Sequence, residues 1–244
     1  MVGTTDASPA GGPWPVLRRA GALVLTVVAF ALVVRCAGPG GSAAQAPGSP
    51  DGAHVAALLE AVTVVDERVS MPGYERSCSG GAGCVFGPAW SDHTDAPGAG
   101  NGCDTRNDVL AVDLVDPVVG PDCRVLSGVL HDPYTGRAEE FTRAEGAKVH
   151  VDHVYALAAA WDLGAHAWPQ RLRERFANDT DFNLLAVGAQ VNQDKADLTP
   201  GQWLPEPVAY RCFYMAKYVA VAIRYDLPVT AEDHRLMTSE AARC

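Results

Sequence analysis

Lys148-Val149-His150-Val151-Asp152-His153 is the stretch on which the reading of this 244-residue chain turns. Val149 and Val151 alternate with polar neighbours, the period of a half-buried strand. Such a strand ends on an acid next to a histidine, so an oxygen ligand and a proton acceptor arrive together at one edge of the fold. His150, two positions before Asp152, shares its face of the strand; it is read as a cross-strand partner in preference to an extra ligand.

Working upstream, residues 109–115 and 124–130 carry runs of β-formers and are predicted as strands. His131-Asp132-Pro133-Tyr134-Thr135-Gly136 is predicted as a turn by its Pro and Gly. The expectation is a strand, a turn and a second strand leading directly into Asp152-His153. Residues 77–102, rich in Gly, Ser, Pro and Asp, read as a loop stapled by cysteines. Residues 51–67 have helical apolar spacing behind a fair N-cap at Asp51.

Working downstream, residues 157–161 are predicted helical with Gly164 as stop, and residues 168–176 as a second helical stretch. Residues 183–187 read as a short buried strand and 188–196 as a short polar helix. After the break at 199–207 come helix candidates at 209–225 and 231–242. Trp161, Trp203 and the apolar positions of 208–223 are expected in the core. Arg171, Arg173 and Arg175 alternate along their helix and read as solvated rather than as one cationic face.

Hydrolysis of a phosphodiester needs a base for water, a cation beside the phosphate and leaving oxygen, and positive charge for the developing dianion. His153, Asp152, Asn192 and Lys195 are a sufficient kit. Asp152 and Asn192 both offer oxygen, which suits Mg²⁺, with Mn²⁺ or another hard cation as the alternative. Asn183 is placed to hydrogen-bond His153 and fix the tautomer that leaves one ring nitrogen free. Arg106 is a candidate for the phosphate because its fork matches that geometry; the rival reading of residues 104–108 is a structural turn locked by Cys103.

The composition, 48% hydrophobic and 20% charged, is that of a globular protein, which excludes a wholly disordered chain. The net charge of -10 argues against a broad cationic footprint for nucleic acid, so contacts with DNA must be local. Arg18 and Arg19 precede an apolar run over residues 20–34, too short for a span of roughly 20 residues, and read as an export signal. Ala44-Gln45-Ala46 is the candidate cleavage site; a retained N-terminal anchor is the alternative, and Arg35 before Cys36 argues against lipid attachment there. Residues 1–46 are thus leader and linker, 47–73 an N-terminal helix and 74–244 the functional domain. The six cysteines beyond Cys36 permit 15 pairings, and sequence neighbours favour 78 with 84, 103 with 123 and 212 with 244. Without a Cys-x-x-Cys pair, a zinc cluster is not expected.

Taken together, Val151-Asp152-His153-Val154, Asn183-Leu184-Leu185 and Asn192-Gln193-Asp194-Lys195 resemble the HNH endonuclease superfamily, including the HNH module of RNA-guided CRISPR nucleases. Adding residues 102–110, Trp161, Phe176-Ala177-Asn178-Asp179 and Gln202-Trp203-Leu204-Pro205, the chain is more closely similar to exported actinobacterial HNH proteins related to the GmrSD restriction nucleases. That resemblance runs from about Tyr74 to the C-terminus. It implies an α+β fold with a ββα-metal core, flanking helices and disulfide-stapled loops. It also implies Asp152 and Asn192 as metal ligands, His153 as general base and Lys195 near phosphate. Ala156 departs from the family's usual Pro, which removes helix-start preorganisation but no catalytic atom. The expected protein is a secreted or outer-face-anchored metal-dependent endonuclease of low sequence specificity acting on DNA, with RNA as second candidate and no protein partner. The rival expectations are a non-catalytic exported scaffold with the same fold and a hydrolase of another phosphodiester.

Overall fold

Asp51 starts the first helix, α1 (Gly52–Ala61), its carboxylate accepting from the His54 amide at 2.8 Å. The computed structural model describes residues 48–78 and 84–244. The expected leader, its cleavage site and Cys36 lie outside the described residues. Helix α1 stops short of the expected residue 67. The run Val62-Thr63-Val64-Val65 is β-branched and loses side-chain freedom in a helix; Val64–Val65 instead form strand β1, parallel to β7 (Val229–Thr230). No helix among the described residues is long and apolar enough to cross a membrane.

Residues 105–113 correct the sequence reading. Residues 109–113 of the strand predicted over 109–115, with the residues before them read as a turn, form a helix, α2 (Thr105–Asp113), capped by Asp104, which accepts from the Asn107 amide. The cap satisfies the helix start, and burying Val109 and Leu110 on one side outweighs the β preference of the valines, leaving Val112 exposed. Strand β2 (Leu114–Val119) follows and pairs antiparallel with β3 (Val125–His131).

The second correction concerns pairing. The turn at residues 131–136 exists, closed by the Asp132 amide on the Arg137 carbonyl, but it joins β3 to β4 (Ala138–Thr142). Strand β4 carries two glutamates and a single buried apolar residue, Phe141, which hides its strand character in the sequence. A short 3₁₀ segment (Arg143–Lys148) then leads to β5 (Val149–His153), whose antiparallel partner is β6 (Leu184–Gly188). Asp152-His153 therefore end a two-stranded sheet whose strands are separated by α3 (Leu157–Asp162) and α4 (Gln170–Ala177), not the β3 hairpin.

Helix α5 (Ala189–Lys195) follows β6 directly, and α6 (Val208–Arg224) and α7 (Ala231–Ala241) close the chain. Gly164, at φ 140°, stops the α3 region in a conformation only glycine adopts easily. Disulfides join Cys78 to Cys84, Cys103 to Cys123 and Cys212 to Cys244, the pairing expected between sequence neighbours. The fold is mixed α+β, with two apolar cores. The larger gathers α1, α3, α4, α6 and α7 around Tyr155, Met215 and Tyr218. The smaller, which includes Leu110, Leu130, Val149 and Val151, lies between α2 and the strands. Val149 and Val151 lock β5 into that small core, so register is fixed and Asp152-His153 emerge at its end.

Candidate active site

Helix α5 lies across the face of β5 that carries His150 and Asp152. Residues two apart on a strand share a face, as do residues three apart on a helix, so two contacts form in register. Asn192 Nδ2 donates to His150 Nδ1 at 3.3 Å. One turn on, Lys195 Nζ donates to Asp152 Oδ1 at 3.1 Å and to the His153 carbonyl at 3.0 Å. Lys195 is fully buried. Asp152 also accepts from the Tyr134 hydroxyl at 2.7 Å. Burial pushes the Asp152 carboxyl above the ordinary carboxylate range, opposed by the Lys195 ammonium and the Tyr134 hydroxyl.

His153 turns to the opposite side. Its Nε2 meets the Ala177 carbonyl at 2.8 Å, and its ring stacks on Trp90 with centroids 5.8 Å apart. A carbonyl can only accept, so Nε2 carries the proton and Nδ1 holds the lone pair. Nδ1 has no hydrogen-bond partner among the described residues. The ring is surrounded by protein yet keeps an edge open to solvent, and burial drives its pKa down to about 3. The ring is therefore neutral across the physiological range.

Asn183 does not do what the sequence suggested. Its Oδ1 accepts from the Tyr155 amide and its Nδ2 donates to the Phe176 carbonyl, so it ties the exit of β5 to the end of α4. The tautomer of His153 is set by the Ala177 carbonyl instead. Arg106 is likewise spent on structure: Nη2 donates to the carbonyls of Gly146 and Val149, pinning α2 to the start of β5. Lys195 faces Asp152 rather than open solvent. Arg171 and Arg175, four apart, do share a face and both meet Asp95, whereas Arg173 turns back to the Val85 carbonyl.

Asp152, His153 and Asn192 line one open cavity of about 580 Å³, with Tyr74, Arg76 and Asp197 on its other walls. Arg106 and Asn183 do not line it. Among the described residues no group of three His, Cys, Asp or Glu side chains is placed to hold a metal ion. A cation here could draw on two protein oxygens, one from Asp152 and Oδ1 of Asn192, which has no hydrogen-bond partner among the described residues when Nδ2 bonds His150. That donor set suits a hard ion that keeps most of its waters and takes the rest of its ligands from a phosphate.

The model of the C-terminal domain of GmrSD restriction endonucleases matches residues 106–240. The chain belongs to the GmrSD C-terminal domain family. A fungal protein from Arthroderma benhamiae, described as an uncharacterized secreted protein, is 36% identical over 143 residues, which cover 58% of this chain and 68% of the relative. No solved structure matches the chain.

Several residues around this candidate site of the GmrSD-type domain were not legible in sequence. Tyr134 lies in the turn before β4 and is held by Trp203 and Tyr214, so the Gln202-Trp203-Leu204-Pro205 segment buttresses the donor to Asp152. Trp90 sits in the loop region and carries no spacing signal. The Ala177 carbonyl is backbone, invisible to residue types, although Phe176-Ala177-Asn178-Asp179 pointed to the neighbourhood. Asn178 and Asp179 are structural: Asp179 accepts from the amides of Asp181 and Phe182 and from the Tyr225 hydroxyl.

Proposed function

We propose that this chain is a secreted, metal-dependent HNH-type endonuclease that hydrolyses DNA phosphodiester bonds, with RNA as a second substrate, and reads little sequence. The observation that carries the reading is His153: a neutral imidazole with Nε2 bound to the Ala177 carbonyl and Nδ1 without a partner among the described residues, lining the same cavity as Asp152 and Asn192. Strands β5 and β6 with helix α5 would then be its ββα core.

In this reading His153 Nδ1 removes a proton from water as the oxygen attacks phosphorus. The P–O bond opposite breaks, the leaving oxygen takes up a proton, and His153 returns its own to solvent. Trp90 and the Ala177 carbonyl hold the ring in orientation. Asp152 and Asn192 would hold a divalent cation, Mg²⁺ first and Mn²⁺ second, which supplies charge neutralisation at the phosphate and leaving oxygen. Lys195 and Tyr134 keep the Asp152 carboxylate oriented. Low specificity follows from phosphate contacts, which position but carry no sequence information. Three disulfides and the secreted description of the fungal relative support export; a tether at the outer face of the cytoplasmic membrane through the N-terminal segment is the variant of that reading.

The test is nicking of supercoiled plasmid in Mg²⁺ or Mn²⁺ by the parent and by His153→Ala. Metal-dependent cutting that is lost in the variant and in chelator supports the reading. Equal activity of parent and variant would leave a scaffold or a hydrolase with other catalytic groups.

A further inference from the structure

Among the described residues, the cavity beside His153 holds one charge that the fold does not use. Asp152 is matched by Lys195, and Asp197 by Arg68, whose Nη2 lies 2.7 Å from the Asp197 carboxylate. Arg76 has no ion-pair or hydrogen-bond partner among the described residues, yet it is half-buried and lines the same wall. Its positive charge is felt at the His153 ring, and enclosure lowers its own pKa. Withdrawing a guanidinium from water without a partner costs free energy, so its natural complement is an anion arriving from outside.

The segment that carries Arg76 is fixed in place. The Met71 amide donates to Asp162 at the end of α3, and Trp161 Nε1 donates to the Pro72 carbonyl. The Tyr74 ring packs on Phe86 and Trp161 at 6.4 and 6.3 Å. The Val85 amide donates to the Glu75 carbonyl, and the Cys78–Cys84 disulfide closes the loop just beyond. A rigid backbone thus delivers a guanidinium to a cleft whose acids are already neutralised.

Resting on the nuclease reading, we infer that Arg76 binds the scissile phosphodiester, its planar fork taking the non-bridging oxygens while His153 activates water. It supplies the phosphate contact that the sequence assigned to Arg106, and it comes from outside the 106–240 segment that defines the family match. Since Arg76 holds no partner among the described residues, removing it orphans none of them.

Arg76→Gln and Arg76→Lys are compared with the parent and with Arg171→Gln, a surface control, on plasmid DNA and on bis(4-nitrophenyl) phosphate. The expected result is a roughly 10²- to 10³-fold loss of kcat for Arg76→Gln on both substrates, the range for removing one transition-state donor. Partial rescue by Lys, an unchanged melting temperature and a near-parental Arg171→Gln complete that result. A second arm needs no activity: in the His153→Ala background, fluorescence anisotropy of a labelled duplex is followed against salt. Arg76→Gln is expected to reduce the salt slope by about one. Activity within about threefold of the parent together with an unchanged slope overturns the inference. A loss on DNA alone overturns it in favour of a flanking phosphate. A parent that binds but cuts nothing defeats the nuclease reading, while the anisotropy arm still decides Arg76.

Discussion

Lys195 Nζ stands 3.0 Å from Asp152 Oδ2, the lysine shut away from water and the acid nearly so at the cavity wall, a buried ion pair across the seam between α5 and β5. Tyr134 and the His153 carbonyl complete its shell. The pair fixes where the acid of the Asp-His couple points.

Lys195→Met is expected to lower stability by about 3–5 kcal/mol, because it strands a buried carboxylate without its counter-charge. Urea unfolding in chelator measures this. Mn²⁺ is then expected to raise the melting temperature of the variant more than that of the parent, since a cation at Asp152 replaces the lost ammonium. A loss below 1 kcal/mol contradicts the role given to the pair.

Asn183→Ala is expected to act on folding rather than on the chemical step. It leaves the Tyr155 amide and the Phe176 carbonyl unpaired inside the protein, at about 1–3 kcal/mol for each group. The check is a urea midpoint beside kcat measured well below the melting temperature. A kcat loss of about 10²-fold or more without loss of stability would return Asn183 to the catalytic list.

His153 shapes the acid limb of stability. Its folded pKa, near 3, lies below the ordinary value of 6.5. Above pH 6.5 the imidazole is neutral in both states and contributes no slope. As pH falls from 6.5 toward 3, the unfolded chain takes up a proton that the folded chain does not, so stability drops across that window. His153→Gln, measured in chelator, is expected to flatten the fall; an unchanged pH profile contradicts the burial assigned to the ring.

The elements that hold the candidate site were largely legible. Residues 149–153 alternate cleanly, 184–188 form a continuous apolar strand, and the polar helix after it followed from the switch in pattern. What failed has local causes. Residues 109–113 look like a strand by composition, and only burial of one side, with the Asp104 cap, makes them helical. Strand β4 hides behind its glutamates, which moved the expected partner of β5 from β6 to β3. Among the site residues, Asp152, His153 and Asn192 line one cavity, whereas Asn183 and Arg106 turned to backbone groups, a choice that no spacing rule reveals. Arg76 went unnoticed because it lies far upstream, next to a disulfide loop, where sequence gives no sign of which cations remain unpaired.

The most direct test of the central claim, that Asp152, His153 and Asn192 form one phosphodiester-cleaving site, is a crystal soaked in Mn²⁺ and examined by anomalous scattering. The account predicts one strong peak at about 2 Å from a carboxylate oxygen of Asp152 and the Oδ1 of Asn192, with waters on its remaining positions and His153 Nδ1 facing it. An ion bound elsewhere, or none at saturating Mn²⁺ while Lys195 keeps its hold on Asp152, would contradict it.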